Sequence, residues 1–209
     1  MQTDKVLREL ETLYPDARAE LHFSNPFETL VATILSAQCT DKRVNMVTEK
    51  LFPLYPDAFA MAKLEPEELE PYIRSCGVFR MKAKHIVEAS RMLVEKYDGQ
   101  VPADRKKLME LPGVGQKTAG VVLLAAFGED EIPVDTHVFR VSNRIGLAHA
   151  NTPNGVEEGL KKVIPKEMWS FGHHLLIWHG RRICHSQRPE CDRCPLRGEL
   201  CEYSRKDEG

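Results

Sequence analysis

The stretch that decides the fold lies at residues 111–119 and reads LPGVGQKTA. Gly113 and Gly115 flank the single apolar residue Val114, and helical sequence precedes and follows them. Glycine permits the positive φ that a tight reversal needs and lets a ligand approach the backbone closely. The free N–H groups and the dipole of the second helix point into the same space. The stretch therefore predicts a helical hairpin that can hold a DNA phosphate without reading a base. A purely structural turn between two helices is the alternative.

The rest of the sequence is also predicted to be helical. Apolar residues recur every three or four positions after Pro26, a residue suited to the first position of a helix. A further helix is predicted over Lys82–Tyr97, and Asp41 and Asp135 are expected to cap helices. The run Thr118–Phe127 is apolar almost all round, which predicts a buried central helix. No alternating stretch is long enough to require a strand, so the predicted class is all-α.

Composition indicates a globular protein with room for one large domain or two modest ones. Of the 209 residues, 42% are hydrophobic and 29% charged, which is ordinary for this class. Aromatic residues make up only 7%, which argues against wide stacking platforms for single-stranded nucleic acid. No apolar run approaches the roughly 20 residues of a membrane span, and no apolar signal core follows the N-terminus. We expect a cytoplasmic, nucleoid-associated protein without membrane contact.

Charge is distributed unevenly along the chain although its net value is only −2. Residues 74–91 carry five cations against one acid, a local charge of +4. Residues 181–197 carry five arginines against two acids, a local charge of +3. Phosphates respond to local charge of this kind. Solvated helix faces would produce the same clusters, so they support DNA binding only in combination with the hairpin.

Four of the six cysteines fall within the last 26 residues. Gaps of six, two and six residues separate them, and they are Cys184, Cys191, Cys194 and Cys201. Disulfides are not expected in a cytosolic chain, and the clustering indicates a metal centre. A two-residue gap lets one tight loop supply two thiolates, but spacing alone fits zinc and an iron–sulfur cluster about equally. The two other cysteines, Cys39 and Cys76, are expected to pack in the core.

Three stretches together resemble the endonuclease III family of the helix-hairpin-helix DNA glycosylases. They are the hairpin at 111–119, Val134–Val138 (VDTHV) and Leu35–Asp41 (LSAQCTD). The resemblance extends from about residue 22 to residue 203, with all pieces in the family's order. It implies a bifunctional DNA glycosylase and abasic-site lyase of base excision repair. The implied substrates are oxidised pyrimidines and abasic sites in double-stranded DNA, bound by a monomer.

The resemblance also implies the architecture, a two-lobed glycosylase fold with a C-terminal iron–sulfur cluster loop. One helical domain would cover residues 22–132, with the helix-hairpin-helix motif at about 105–124. The second domain would combine residues 1–21 with residues 133–209 and hold a [4Fe–4S] cluster on the four clustered cysteines. DNA would lie across the groove between the two.

Lys117 and Asp135 are the catalytic residues that the resemblance implies. Lys117 would attack C1′ and expel the base, and the resulting Schiff base would permit β-elimination of the 3′ phosphate. A lysine amine in water is almost entirely protonated at neutral pH, so partial burial is expected to favour its neutral form. Asp135, a helix cap by local sequence, would activate Lys117 and stabilise oxocarbenium character. His137 is expected either to support Asp135 or to be structural. The remaining histidines of that region are expected to be structural: His173, His174 and His179.

DNA contacts are implied by resemblance at further positions. Gln38 and Val78 would fill the gap that a flipped nucleotide leaves, since extrusion from the stack costs a few kcal/mol. From local sequence alone, Gln38 would be a loop amide capping a helix end and Val78 an ordinary core contact. Arg188 and Arg193 would lie against the DNA backbone on the cluster loop. The hairpin completes the predicted DNA-binding set with Gly113, Val114 and Gly115.

The chain departs from the family's pattern at three places. Gln116 stands where a basic residue is usual, Gly120 stands where asparagine is usual, and the last cysteine gap has six residues where five are common. Glycine at position 120 resembles the adenine-mismatch glycosylases, which have serine in place of Lys117. Two alternatives come from other classes: a non-enzymatic DNA-binding module with a zinc clasp, and an iron–sulfur redox protein.

Overall fold

The computed structural model describes residues 2–206, and this range is helical without any strand, which confirms the predicted all-α class. Within it the α-helices in chain order are α1 (Gln2–Leu13), α2 (Pro26–Ser36), α3 (Asp41–Leu51), α4 (Ala58–Ala62), α5 (Pro66–Ile73), α6 (Phe79–Tyr97), α7 (Arg105–Glu110), α8 (Gln116–Phe127), α9 (Thr136–Ile145), α10 (Pro153–Val163), α11 (Trp169–Arg182) and α12 (Glu202–Lys206). Short 3₁₀ turns lie at Arg74–Cys76, Lys166–Met168 and Cys191–Arg193.

The chain forms two compact units, each with its own hydrophobic core. One unit is continuous and spans Ala19–Glu129. The other combines the residues up to Arg18 with those from Asp130 onward. The predicted domain division, with boundaries at residues 22 and 132, stays a prediction that separate expression of the two pieces would test.

In the continuous unit, α2 and α8 pack against each other, while α6 packs against α4 and α5. Helix α2 begins at Pro26 as predicted, after Asn25 whose side chain accepts a hydrogen bond from the amide of Glu28. Ala119, Val122 and Leu123 of α8 are buried, which confirms the predicted central helix. The strongly apolar α2 and α8 thus form the interior against which the hairpin is held.

Two predicted helix starts in this unit were wrong. Thr40, not Asp41, caps α3, because its hydroxyl accepts from the amide of Arg43 at 3.3 Å while Asp41 is already helical. An acidic residue in the first turn still interacts favourably with the helix dipole. Helix α6 begins at Phe79, three residues before the predicted start at Lys82, and follows Val78 in a left-handed conformation.

In the discontinuous unit, α9 packs against α10, α11 and α12, and α1 packs against α11. Its core contains Leu10 from α1, Val138 from α9 and Leu176 from α11, all fully buried. Asp135 caps α9 as predicted. The segment that carries the four clustered cysteines follows α11, and three of those cysteines pack against this core.

Candidate nucleic-acid and catalytic site

The hairpin between α7 and α8 is closed by a hydrogen bond from the amide of Val114 to the carbonyl of Leu111, at 3.1 Å. Gly113 has a φ of +78°, and a Cβ there would lie 2.8 Å from the Cβ of His85. Gly115 has an extended backbone, and a Cβ there would meet nothing within 4 Å. The expected positive φ is therefore present at Gly113 alone, and the fold itself does not demand glycine at position 115. Val114 is buried in the core of the unit.

Helix α8 begins directly after this hairpin with its amides uncapped by any side chain. Gly115 is the N-cap residue and offers no acceptor to the first N–H groups. Such a helix start attracts an anion through its free N–H groups and its dipole. The hairpin therefore presents a short row of backbone donors next to an open glycine.

Lys117 lies in the first turn of α8, two residues after Gly115. Its side chain is exposed, so the expectation of partial burial was wrong. The reason is its position on the helix, since α8 turns Ala119 and Val122 inward and position 117 outward. Lys117 belongs to the continuous unit and Asp135 to the other. Their meeting at one site stays a prediction.

Asp135 is held by the start of α9. Its Oδ1 accepts hydrogen bonds from the amides of His137 and Val138, at 2.9 and 2.8 Å. Both bonds fall on the same oxygen, so the carboxylate is oriented by the backbone. Its other oxygen, Oδ2, has no hydrogen-bond partner within residues 2–206. The capping role is thus present, and it leaves one carboxylate oxygen for a second task.

His137 contacts Asp135 through its backbone and Arg140 through its ring. The guanidinium of Arg140 lies 3.1 Å from Nδ1 of His137 and donates to the carbonyl of Gly180 at 2.9 Å. Arginine only donates hydrogen bonds, so Nδ1 is an acceptor and the imidazole is neutral. Burial lowers the pKa of His137, which agrees with this state. His137 therefore connects the start of α9 to α11.

The four clustered cysteines line one small cavity in the discontinuous unit. Apolar side chains share its wall, among them Ile145, Ile183 and Leu196. Within residues 2–206 no three cysteine, histidine or acidic side chains converge closely enough to hold a single metal ion. Four thiols around one largely apolar cavity are a donor set that soft metals such as iron and zinc accept. The predicted ligand set is thus brought together around a shared space.

Two residues beside this cavity were not singled out from the sequence as neighbours of the cysteines. His179 is buried, with Nε2 at 3.6 Å from Sγ of Cys194 and Nδ1 at 3.3 Å from the hydroxyl of Tyr14. Arg144 donates to Sγ of Cys184 at 3.6 Å and to the carbonyl of His185 at 2.6 Å. A histidine 15 residues away on a helix gives no spacing signal for such a contact.

The arginines of the cysteine segment differ in their partners. Arg193 donates to Glu190 at 2.9 Å, and Arg197 pairs with Asp192. Arg188 is exposed, makes no ion pair within residues 2–206 and has a φ of +51°. The positive charge of this segment is therefore partly neutralised at Arg193, whereas the charge of Arg188 is exposed to solvent and has no ion-pair partner among residues 2–206.

Gln38 and Val78 are both exposed and both left-handed, with φ of +53° and +47°. Val78 is 60% exposed, so the alternative that it is an ordinary core contact was wrong. A positive φ is an outlier for a β-branched residue and is strained. Both residues stand at the surface of the continuous unit in conformations that local sequence does not favour.

These features define a class of protein. An all-helical fold with a glycine hairpin before an uncapped helix is that of the HhH-GPD superfamily of base excision DNA repair proteins, whose family model matches residues 31–166.

Whole-length relatives narrow the class. The endonuclease III of Bacillus subtilis is 47% identical over 208 residues, covering 98% of this chain and 94% of the relative. That of Escherichia coli K12 is 46% identical over 202 residues, covering 97% and 95%. A solved structure described as a trapped endonuclease III–DNA covalent intermediate has a TM-score of 0.94 and 48% identity, covering 100% of this chain and 98% of its own. The chain belongs to the endonuclease III family.

Membership defines the activity as well. The protein is a base excision repair enzyme with DNA glycosylase and lyase activity. The alternative of a non-enzymatic DNA-binding module is therefore wrong. No helix in the described part of the chain is long and apolar enough to cross a membrane.

Proposed function

We propose that the protein acts as a monomer on double-stranded DNA, excises oxidised pyrimidines, and then cleaves the strand at the abasic site. The observation that carries this proposal is the exposed Lys117 in the first turn of α8, directly after the hairpin. A phosphate held by the hairpin brings the sugar of the same strand near this amine. The relative solved as a covalent DNA intermediate supports a nucleophilic route.

Lys117 supplies the nucleophile. Its neutral Nζ attacks C1′ of the damaged nucleotide, the N-glycosidic bond breaks, and the base leaves with the bonding electrons and a proton. The C1′–O4′ bond then breaks, the remaining proton on nitrogen passes to O4′, and a Schiff base forms between Nζ and C1′. Removal of a proton from C2′ then breaks the C3′–O bond, and the 3′ phosphate departs. Water hydrolyses the imine and regenerates the amine.

Asp135 supplies the negative charge that this sequence of steps needs. Its Oδ1 is occupied by two backbone amides, which orients the carboxylate at the end of α9. Its Oδ2 is the oxygen that would face the sugar, where positive charge develops on C1′ as the base departs. A preorganised charge of this kind stabilises a transition state without reorganisation.

The hairpin holds the DNA backbone. The open space at Gly115 lets a phosphate come close to the amides at the start of α8, and the helix dipole favours its negative charge. Such a contact positions the strand without reading its sequence. Gln116 adds no cation there, so the contact depends on backbone donors.

Cys184, Cys191, Cys194 and Cys201 would hold a [4Fe–4S] cluster. Four thiols around a shared apolar cavity suit a cluster, whose inorganic atoms separate the ligands. When bound, the cluster would act as a structural clasp with every iron ligated by cysteine. Arg188 and Arg193 would then be presented to the DNA backbone from the segment that it organises.

Gln38 and Val78 would enter the stack where the damaged nucleotide has left it. Both are exposed and project from tight left-handed turns, which supports a role outside the folded core. Extruding a nucleotide costs a few kcal/mol, and filling the gap offsets part of that cost. The predicted cytoplasmic, nucleoid-associated location is compatible with a DNA substrate and stays a prediction.

Borohydride trapping tests the proposal. The protein is incubated with borohydride and duplexes carrying an abasic site or one of a panel of oxidised pyrimidines, and covalent adducts are separated on denaturing gels. We expect an adduct with the wild-type protein and none with Lys117→Ala. Lys106→Ala, which removes another exposed lysine of the hairpin's first helix, serves as the matched control and should keep the adduct. An adduct of wild-type yield with Lys117→Ala would refute the assignment of the nucleophile.

A further inference from the structure

Lys82 is a buried lysine within the basic stretch of residues 74–91, for which DNA binding and a solvated helix face were the two alternatives. Only 5% of the residue is exposed. Its Nζ donates hydrogen bonds to three backbone carbonyls, those of Leu35 at 2.8 Å, Ala37 at 2.7 Å and Cys76 at 2.7 Å. An ammonium group has three N–H donors, so each of them is used. Lys82 therefore has no donor left for a phosphate.

The three carbonyls belong to two separate segments. Leu35 and Ala37 lie at the C-terminal end of α2, immediately before Gln38. Cys76 ends the 3₁₀ turn Arg74–Cys76, two residues before Val78. One ammonium group thus joins the two loops that carry the proposed gap-filling residues. The amide of Lys82 also donates to the carbonyl of Val78 at 3.2 Å, so this residue contacts the second loop twice.

A simple helix cap does not account for this arrangement. The last carbonyls of α2 need donors, and a cation near them interacts favourably with the helix dipole. Water or a side chain of α2's own loop would satisfy them equally well. The bond to Cys76 adds nothing to α2, and burying an ammonium group is costly. Burial lowers the pKa of Lys82, which shows the direction of that cost.

The two loops that Lys82 joins both contain a residue with a left-handed backbone, which the hydrogen bonds of Lys82 help to maintain. Gln38 and Val78 both have positive φ, and such strain persists only where the surrounding structure over-determines the backbone. The carbonyl of Ala37 belongs to the peptide group that joins Ala37 to Gln38. The hydrogen bond from Lys82 to this carbonyl therefore restricts the backbone rotation that would release the positive φ of Gln38. The carbonyl of Cys76 does the same for the turn through Gly77 to Val78.

We propose that Lys82 is a positioning residue for base extrusion, which holds the loops of Gln38 and Val78 at the separation needed to enter the DNA stack together. Lys82 itself touches no DNA. This inference rests on the proposed roles of Gln38 and Val78. A misplacement of reacting or contacting groups by about 1 Å can lower a rate by as much as about a hundredfold.

The test uses two substrates and the full-length protein with its cysteines intact. One is thymine glycol in a duplex, where extrusion leaves a gap, and the other is an abasic site in single-stranded DNA, where there is no stack to fill. In single-turnover assays, Lys82→Met should slow excision from the duplex by about tenfold to a hundredfold, which is the order expected for a misplaced group. On the single strand, the same variant should form the adduct at a rate within about twofold of the wild type. Lys96→Met, an exposed lysine at the far end of α6, is the matched control and should change neither. Equal losses on both substrates, or no loss on either, would overturn the proposal.

A double-mutant cycle asks whether Lys82 acts through the two loops. In a Gln38→Ala, Val78→Ala background, Lys82→Met should cause no further loss on the duplex. The same fold loss in both backgrounds would be additive and would overturn the proposal. If circular dichroism shows that Lys82→Met does not fold, Lys82→Arg keeps the charge but moves the donors and enters the same cycle with the same two outcomes.

The failure of the inference is distinguishable from that of the proposed function. A wild-type protein that forms no adduct would overturn both. A Gln38→Ala, Val78→Ala variant that excises at the wild-type rate would overturn the gap-filling roles and the role of Lys82, and would leave the nucleophilic role of Lys117 standing. Normal excision by the wild type, together with an additive effect of Lys82→Met, would overturn the role of Lys82 alone.

Discussion

Replacing Gly113 by alanine places a new Cβ atom 2.8 Å from the Cβ of His85 and 2.9 Å from its Nδ1. A side chain at the φ of +78° found there costs about 1–2 kcal/mol. The overlap with His85 adds about 1–3 kcal/mol, because that Cβ is attached directly to the backbone of α6 and cannot rotate away. We therefore expect Gly113→Ala to lower the free energy of unfolding by about 2–5 kcal/mol.

The same substitution at Gly115 has a different expected result. Its backbone is extended, with a φ of −95°, and the added Cβ meets no atom within 4 Å. Alanine is compatible with that conformation, so the free energy of unfolding should change by less than about 1 kcal/mol. The Cβ would nevertheless occupy the space through which a phosphate reaches the first amides of α8. We expect DNA affinity to fall about tenfold, equivalent to about 1.4 kcal/mol.

Two measurements on the pair of variants check this reasoning. Denaturant unfolding followed by circular dichroism gives the stability of each variant. Fluorescence anisotropy with a duplex carrying an abasic-site analogue gives the affinity, at one salt concentration because phosphate contacts depend strongly on salt. If Gly115→Ala loses as much stability as Gly113→Ala, glycine is needed at both positions for folding. If Gly115→Ala binds DNA as tightly as the wild type, the backbone is not the phosphate contact.

Further predictions concern pH, the cysteines and salt. Burial lowers the pKa of His174 from 6.5 to about 4. Above pH 6.5 the residue is neutral in both the folded and the unfolded chain, and as pH falls toward 4 the unfolded chain takes up the proton more readily. The free energy of unfolding should therefore decrease over this range, by at most about 3 kcal/mol from this residue. His174→Gln should flatten this part of the stability–pH curve relative to the wild type, and an unchanged curve would contradict it. Cys201→Ser should lower the iron and sulfide content and the visible absorbance, whereas Cys39→Ser should leave them unchanged, and equal losses would contradict the ligand set. Gln116→Arg should steepen the dependence of log affinity on log salt by about one unit, and an unaltered slope would show that position 116 is away from the phosphates.

Much of the fold is predictable from local sequence because its signals are local. Pro26 and Asp135 mark helix starts through backbone geometry and capping, and α8 is recognised as buried because it is apolar on every side. The hairpin could be predicted because two glycines on either side of one apolar residue, between two helical stretches, are typical of a tight reversal of the chain. The four cysteines could be grouped because their spacing is short, and a single cavity does unite them.

Other features depend on partners that lie far away in the chain. The three acceptors of Lys82 come from α2 and from a 3₁₀ turn, and no charge pattern distinguishes it from an exposed lysine such as Lys84. His179 contacts Cys194 because the cysteine segment folds back on α11. The exposure of Lys117 follows from which face of α8 the core occupies. A short stretch of sequence specifies the side chains of a helix but not which distant segments of the chain pack against them.

Backbone strain gives an indication of the site that is independent of any resemblance. Among the described residues, four that are not glycine have positive φ: Gln38, Val78, Asp98 and Arg188. Asp98 ends α6, where a left-handed residue is common and an aspartate tolerates it. Gln38 directly follows the C-cap of α2, and Val78 is the N-cap residue of α6. These two and Arg188 are exposed and are among the residues proposed to contact DNA. Each such conformation costs about 1–3 kcal/mol and persists where surrounding structure enforces it. In the continuous unit Lys82 bonds to both loops that carry this strain, and in the other unit Arg188 lies within the cysteine segment. The strained residues therefore lie where the surrounding structure fixes the backbone. Side chains fixed in this way can contact a duplex without a loss of conformational entropy on binding, which suits the proposed DNA-contacting residues.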